Sequence, residues 1–479
     1  MYPLDDTICA IATAPGVGGV GIVRLSGVEA FSIAQRAFQS PHAIEKKREV
    51  LFGKFMDPSK SEILDEGLLL VMPRPASYTG EDVVEFHAHG SPTLLSRLVE
   101  VLVALGARPA EPGEFTYRAF VQGRLDLTQA EAVEALVSAQ GEASRRQALR
   151  QLTGGLAAHL EPLEESLKAL YIKIEARLEF SEDGIPPLDV RKFKEEMAAI
   201  RREFQKLLQS YEHGKVLREG LTVALVGPPN VGKSSLLNSL LGADRAIVTP
   251  MAGTTRDVVE GEMRLKGVKV RFFDTAGIRK AENEVEVEGI RRSRQVMEEA
   301  DILFWLVDAS NPDPSLQEAK AASMPVERTW FLFNKLDLVK KNTSSFKDFL
   351  TTLSERSEHG MSGPKGYSNP SKGLRIDRCL GLSCVTQEGM PQVFEKIEAL
   401  IQMPLTGEDT VLTSARHQKE IQNADQALDR LETLIKNKES YELWAEELKE
   451  ATLAIGRIRG RNLPATAFAE IFSKFCIGK

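Results

Sequence analysis

Between residues 7 and 106 the apolar positions come in short runs separated by glycine and proline, and their period changes once. Residues 7–27, TICAIATAPGVGGVGIVRLSG, hold Val- and Ile-rich runs around a glycine cluster and read as two strands joined by a turn. Arg24 falls between the apolar Val23 and Leu25, so its side chain leaves the opposite face. It is either a solvated edge residue or an anion ligand. Residues 67–90, GLLLVMPRPASYTGEDVVEFHAHG, continue with strands around a Pro/Ser/Gly turn. From Pro92 the spacing becomes helical, through Leu94, Leu95, Leu98, Val101, Leu102 and Leu105, and Gly106 ends it. This pattern predicts a small α+β domain over residues 1–120.

After GRLDL, Thr128 with Glu131 makes a capping box. Helical spacing continues through Leu156 to Phe180, breaks at Ile185-Pro186-Pro187 and resumes from Val190 to Leu217. The same texture returns from Leu412 to Ile458, with Ile421, Ala424, Leu428, Leu431 and Leu434 or Ile435 on one stripe. Neither stretch completes a bundle alone. They are expected to pack together as one discontinuous all-α domain, residues 121–219 and 404–479, with residues 220–403 inserted between them. The other arrangement is two independent helical domains in tandem.

Inside the insertion the pattern is strand, loop, helix, repeated, as in an α/β domain of Ras-like type. The apolar run from Leu221 breaks into GPPNVGKSS, where Gly227, Gly232, Lys233 and Ser234 fit the G-x-x-x-x-G-K-[ST] phosphate loop. The glycines let backbone N–H groups turn onto phosphate oxygens, Lys233 reaches the β and γ phosphates, and the Ser234 hydroxyl takes magnesium. Asn230, Val231 and Ser235 complete the loop. Asn230 has an amide oxygen able to coordinate a monovalent cation beside the phosphates, which would act as an arginine finger does. Ala252-Gly253-Thr254-Thr255 offers hydroxyls for a switch loop, with Thr255 the second magnesium contact. The strand Val268 to Phe273 leads into Asp274-Thr275-Ala276-Gly277, a carboxylate for magnesium through water and a glycine N–H for the γ phosphate.

Next come strand Ile302 to Val307, then Thr329 to Phe333 leading into Asn334-Lys335-Leu336-Asp337. The Asp337 carboxylate suits the N1–H and 2-amino donors of guanine; adenine has neither, so the substrate should be GTP. Ser383-Cys384-Val385 is expected to close over the base. Ile278 stands where many such enzymes place a polar group to orient water, so the attacking water must be held otherwise. Glu282, Glu284, Glu286 and Glu288 are the acidic candidates nearby. Residues 354–373, rich in Gly, Ser and Pro, read as a mobile insertion.

Composition mainly excludes. With 479 residues the chain has room for about three domains. No apolar run reaches the roughly 18 residues of a membrane helix. The first residues lack a basic region ahead of their apolar stretch, so a signal peptide is not expected and the cytoplasm is. A net charge of −7 confines any RNA contact to a local patch. IGRIRGRN, residues 455–462, is one such patch, and its three arginines either meet a phosphate backbone or form a solvated helix end. Gly16, Gly18 and Gly21 match G-x-G-x-x-G but precede a strand, where a dinucleotide site needs a helix. His87 and His89 share a strand face without a third ligand, which favours structural roles. Cys9, Cys379, Cys384 and Cys476 fit neither a disulfide framework nor a zinc pattern.

Taken together, GGVGIVRLSG, SYTGEDVVEFHAHG, RPAEPGEFTYRAF, GPPNVGKSSLLN, VTPMAGTTRD, DTAGIR and the terminal FCIGK closely resemble the tRNA-modification GTPase family MnmE, also called TrmE. The resemblance implies an N-terminal folate-binding domain through which two copies form a homodimer, a discontinuous helical domain and an inserted G domain. It implies a potassium-activated GTPase that joins the flavoprotein MnmG, which carries FAD, in a heterotetramer. Together they add an aminomethyl-type group, carboxymethylaminomethyl, at C5 of the wobble uridine of certain tRNAs. It places Arg24, Glu85, Arg124 and Lys479 around 5-formyltetrahydrofolate or a related one-carbon folate, with Arg124 where relatives usually have Lys. Asn230, Thr249, Met251 and Thr254 match the potassium site, and Thr249-Pro250-Met251 joins the nucleotide-contacting switch. Glu286 matches the residue that positions water, and Cys476 a cysteine needed for modification. Where this chain has GRIRGR, relatives usually carry acidic residues. A second reading is a ribosome-assembly GTPase that docks on RNA without base chemistry; the first 120 residues and the FCIGK tail speak for the modification enzyme.

Overall fold

The change of period at Pro92 marks where a sheet acquires its covering helix. The computed structural model describes residues 3–179, 186–242, 261–274, 300–321, 327–339, 376–401 and 411–479, with 297–298, 346, 348 and 350–351 between them. Two compact units emerge: Met1–Ala139, Arg146–Tyr211 and Thr410–Lys479 form one, Gln140–Arg145 and Glu212–Asp409 the other.

The first unit begins with β1 (Ile8–Ile11), β2 (Gly18–Ser26), α1 (Ala30–Ala37), β3 (Phe38–Gln39), β4 (Glu49–Asp57), β5 (Glu62–Met72), β6 (Val83–Gly90), α2 (Pro92–Ala104), β7 (Arg108–Pro109) and α3 (Glu114–Val121). The strands lie in the order β3-β4-β5-β6-β2-β1-β7. Alternation decides the faces: Val23, Leu25, Leu51, Phe55, Leu69, Val71, Val84 and Phe86 point into a core shared with α1 and α2. Gly21 in β2 is glycine because a Cβ there would meet the Leu95 side chain of α2 at 2.5 Å. Its fit to a dinucleotide fingerprint thus reflects helix-on-sheet packing.

Four helices follow: α4 (Leu127–Ser138), α5 (Glu142–Leu152), α6 (Gly155–Glu179) and α7 (Val190–Glu219). The expected capping box is corrected by two positions. Asp126 is the N-cap, its carboxylate accepting from Gln129 N at 2.9 Å while Gln129 Oε1 accepts from Asp126 N at 3.0 Å. The same acceptor-x-x-Gln/Glu pattern occurs there, and Asp caps as well as Thr. Thr128 is instead buried, its hydroxyl on Asp126. The unbroken run expected from Thr128 is also interrupted, between α4 and α5 and again at Gly154, whose φ is +91°.

The second unit holds β8 (Leu221–Val226), α8 (Lys233–Leu241), β9 (Gly261–Leu265), β10 (Val268–Asp274), β11 (Ile302–Asp308), α9 (Pro312–Ala321), β12 (Thr329–Asn334), β13 (Cys379–Gly381) and α10 (Met390–Ile401). Its sheet runs β13-β12-β11-β8-β10-β9, parallel except for the edge strand β9. Near-continuous apolar strands such as ILFWLV of β11 are buried on both faces, as parallel sheets require. From β8 the chain fills β10 and β9 on one side and then crosses to β11 on the other, so the order reverses at β8 and a crevice opens at the carboxyl ends of β8, β10 and β11.

The chain then returns to the first unit in α11 (Ala415–Asn437), α12 (Tyr441–Ile458) and α13 (Ala465–Phe472). Leu160, Leu167, Ile174, Phe193 and Phe204 from before the insertion and Ile421, Leu428, Leu431, Leu448 and Ile455 from after it form one buried core. The discontinuous helical domain is therefore a single packed body, not two in tandem. Its two halves are also joined by charge. Glu131 of α4 accepts from Arg416 Nε at 2.8 Å and Nη2 at 2.9 Å, and lies 2.6 Å from His417 Nε2, which is fully buried. Burial pushes the Glu131 carboxyl up, but His417 and Arg416 outweigh it and hold it far below the usual carboxylate range.

We expect Glu131→Gln to lower stability by about 3 kcal/mol at neutral pH, because it removes the countercharge of Arg416 and the carboxylate partner of the buried His417. A carboxylate with a depressed pKa stabilises fully above its unfolded value of about 4.3, and that contribution is lost as pH falls toward the folded value. Urea denaturation followed by circular dichroism should show the two proteins well apart at pH 7 and converging below about pH 4. Equal midpoints at pH 7 contradict the assignment.

Candidate functional site

The crevice of the second unit is lined by loops that leave β8, β10, β12 and β13. The phosphate loop starts at Gly227, φ +141°, and enters α8 at Gly232, φ +101°, with Asn230 also left-handed at +62°. Gly227 has a second reason to be glycine: a Cβ would lie 2.7 Å from Leu306 O. Lys233 Nζ donates to Gly227 O at 2.7 Å and Pro228 O at 2.8 Å, clipping the loop closed over the first turn of α8. Val231 is buried beneath the loop, while Asn230, Ser234 and Ser235 are exposed at its mouth. The helix N-terminus and its free N–H groups favour an anion there.

Asp274 ends β10, buried, with Oδ2 3.5 Å from Ser234 Oγ. A hydroxyl facing a carboxylate is a pair of hard oxygen donors that suits magnesium. Ser234 is placed to ligate such an ion directly and Asp274 to hold its water, where the metal would neutralise phosphate charge.

Asn334 ties the phosphate loop to the loops of β12 and β13. Its Nδ2 donates to Val231 O at 2.9 Å and its Oδ1 accepts from Cys384 N at 3.2 Å. A Cβ at Gly232 would strike that same Nδ2, a further constraint on the glycine. Asp337 accepts from Ser383 Oγ at 2.6 Å, which fixes the carboxylate's direction, and Ser383 Oγ in turn accepts from Thr386 N at 3.2 Å. Leu336 is buried and anchors the turn through its N–H to Leu382 O at 3.2 Å. Val385 is exposed at the outer rim, and burial pushes the neighbouring Cys384 thiol up to about 11. Lys335 reaches sideways to Asp308 Oδ2 at 2.6 Å. Asp308 belongs to no nucleotide motif; its one signal in the sequence is an acid at a strand's carboxyl end, in LVDAS. Thr249, Pro250, Met251, Ala252, Gly253, Thr254, Thr255, Thr275, Ala276, Gly277 and Ile278 lie outside the described residues, as do Glu286, its acidic neighbours Glu282, Glu284 and Glu288, and residues 354–373.

A second cluster occupies the sheet face of the first unit opposite α1 and α2. Arg24 and Glu85 are cross-strand partners on β2 and β6, with Nε 2.7 Å from Oε1. Glu85 Oε2 lies 3.2 Å from His87 Nε2. The Arg24 guanidinium is flanked by the Tyr78 and Phe115 rings at 5.2 and 5.5 Å and donates to Gly478 O at 3.2 Å. Arg24 is thus not a solvated edge residue; its guanidinium faces the Glu85 carboxylate. Tyr78 and Phe115 stand in motifs noticed in the sequence, yet only the fold brings them to Arg24. The tail reaches this place because α13 packs its Phe472 on Tyr117 of α3, ring centroids 5.3 Å apart. Gly113 lacks a Cβ that would meet Phe472 O at 2.6 Å. Lys479 is half-buried, and burial first, then the Arg24 charge, pushes its ammonium pKa down. Arg124 is exposed and packs on the Gly80 turn. Cys476 is exposed, its carbonyl accepting from Gly113 N at 3.5 Å.

His89 pairs with Asp65 at 2.9 Å and His87 with Glu85, and among the described residues no cluster fit to hold a metal through His, Cys, Asp and Glu occurs. The arginines of GRIRGR are internal partners: Arg457 bonds Glu420 and Glu450, each at 2.9 Å, while Arg459 and Arg461 bond Glu164 at 3.0 and 2.6 Å. Each is thus engaged by an internal carboxylate, with Arg461 still partly exposed at the helix end. No helix of the described residues is long and apolar enough to cross a membrane.

A parallel sheet with a glycine loop opening a helix, a buried strand-end aspartate and an Asn-Lys-x-Asp turn tied to that loop defines a P-loop GTPase domain. Family models agree: residues 7–124 match the GTP-binding protein TrmE N-terminus and residues 127–476 the MnmE helical domain. A tRNA modification GTPase MnmE of Thermus thermophilus is 39% identical, over 99% of this chain and all of the relative. That of Aquifex aeolicus is 38% identical over the same shares. Among solved structures, the G domain of the T. maritima FeoB iron transporter is 25% identical and covers 38% of this chain and 99% of its own, with a TM-score of 0.26. The chain belongs to the tRNA modification GTPase MnmE family, and it is a GTP hydrolase.

Replacing Asp337 by Asn should weaken GDP binding by on the order of 10²-fold, two hydrogen bonds to a charged acceptor being lost, and favour the xanthosine nucleotide instead. Titration with both diphosphates measures this; an unaltered base preference contradicts the role of Asp337.

Proposed function

We propose that this chain is a potassium-activated GTPase that works with the flavoprotein MnmG on tRNA, adding a carboxymethylaminomethyl-type group at C5 of the wobble uridine. The observation that carries the reading is the match to MnmE relatives over 99% of this chain and their whole length. Asp337, held by Ser383, accepts from guanine; Lys233 and the loop N–H groups take the phosphates. Asn230, left-handed and exposed in that loop, offers its amide to potassium, with Thr249, Met251 and Thr254 as further ligands and Glu286 positioning water.

The first unit supplies the one-carbon side. Arg24, Glu85 and Lys479, joined by Arg124, bind a formyltetrahydrofolate-type cofactor. A carboxylate held by an arginine between two aromatic rings is a chemically fitting acceptor for the N–H donors of a pterin. Folate supplies the one-carbon unit, and Cys476 lies on the same tail as Lys479. The outward face of β4 and β5 exposes Val50, Phe52 and Leu68, and Phe52 stands opposite Leu68 in register, which supports pairing of two copies through this domain. The protein acts in the cytoplasm, bound to FAD-carrying MnmG.

Nucleoside mass analysis of tRNA from a deletion strain tests the reading: the wobble uridine should lose its modification. Unchanged nucleosides with a ribosome-subunit defect would favour the assembly GTPase instead. Exchanging potassium for sodium should slow hydrolysis by on the order of 10²-fold while GDP still binds; equal rates in the two salts remove potassium from the mechanism.

A further inference from the structure

We propose that Asp308 is a positioning residue for guanine-nucleotide binding, which holds the Lys335 ammonium away from Asp337 so that the Asp337 carboxylate stays open to the base. The proposal rests on the reading of Asp337 as the guanine contact. Asp308 closes β11 directly beside Asn334 in the β11–β12 register, and Ala309 N donates to Asn334 O at 2.9 Å. The two strand ends therefore present their side chains to one rim of the crevice. Asp308 Oδ1 is fixed from its own side by Ser310 N at 3.0 Å and Ser310 Oγ at 2.6 Å, which leaves Oδ2 to receive Lys335 Nζ at 2.6 Å.

Lys335 is in an unusual position for a lysine. Its φ is +67°, a left-handed conformation that L-residues rarely adopt, held by Asn334 on one side and by the Leu336–Leu382 bond on the other. From that backbone a four-carbon stem ends in a charge only two residues from Asp337. Released from Asp308, the ammonium is free to approach the carboxylate that must accept from the base. With Asp308 in place the ammonium is committed elsewhere, and among the described residues Asp337 keeps the neutral Ser383 hydroxyl as its hydrogen-bond partner. A stem already fixed at both ends also loses little rotamer freedom when a planar base packs nearby. Burial raises the Asp308 carboxyl, but Lys335 and Ser310 hold it below the ordinary carboxylate range, so it stays charged wherever the enzyme works.

The full chain carrying Asp308→Asn, Asp308→Glu, Lys335→Met, and Asp308→Asn with Lys335→Met tests this. Measured quantities are the Kd for GDP, the KM and kcat for GTP, the preference for GDP over the inosine diphosphate, and the unfolding midpoint without nucleotide. Asp308→Asn should raise Kd and KM about tenfold with kcat at saturation falling less than about twofold, erode the guanine preference, and leave the unfolding midpoint in place. Asp308→Glu should restore most of the affinity. The double variant should bind GDP no worse than Asp308→Asn, because the harmful free ammonium is gone. Unchanged Kd in Asp308→Asn, additive losses in the double variant, or a fall in unfolding midpoint that tracks the loss of affinity each overturn the proposal. Failure of the Asp337 reading is distinguishable, since there Asp337→Asn would leave base preference unaltered.

Discussion

One hydrophobic core built from two distant stretches of chain is the constraint on which the rest of this molecule depends. Residues 156–211 cannot bury Leu160, Leu167, Phe193 and Phe204 among themselves, and residues 412–458 cannot bury Leu428, Leu431 and Leu448; each needs the other. A fully buried leucine is worth about 1.5–3 kcal/mol, so about ten such contacts commit both stretches to one body. The nucleotide domain is consequently tethered at both ends to the same scaffold. The buried pairing of Glu131 with Arg416 and His417 adds register to this closure.

The same economy of joining recurs within the second unit. Asn334 uses both ends of one amide, donor to the phosphate loop and acceptor from the loop after β13, so phosphate and base subsites are set by a single side chain. Ser383 aims Asp337, and Lys233 closes its own loop. These bonds lie within the protein and tie the loops of the two subsites to one another. In the first unit, α13 and the tail are likewise set in place by Phe472 on Tyr117, which brings Gly478 O to Arg24 and Lys479 to the charged face of the sheet.

The parts of this architecture that obey local rules were legible in the sequence. The phosphate loop, the strand-end Asp274, the Asn334–Asp337 turn and the discontinuous helical domain all follow from periodicity and from residue types demanded by phosphate and guanine. The fold class was legible for the same reason. What sequence could not yield were long-range partners. Thr128 and Asp126 are both good caps, and only burial of Thr128 decides between them. Gly141, between α4 and α5, has no room for a Cβ because the Gly267 carbonyl, far along the chain, occupies its place. Arg457, Arg459 and Arg461 look like an anion patch until Glu420, Glu450 and Glu164 are folded against them. Arg24 was ambiguous because its aromatic flanks and the tail carbonyl come from three other segments.

The central claim is that GTP turnover in the inserted domain drives work done elsewhere in the molecule on tRNA. It is tested most directly by complementing a deletion strain with Lys233→Ala, a chain that should fold yet not turn over GTP, and quantifying wobble-uridine nucleosides by mass spectrometry. The account predicts unmodified uridine at the level of the empty strain. Full modification by a folded, hydrolysis-dead chain would contradict it.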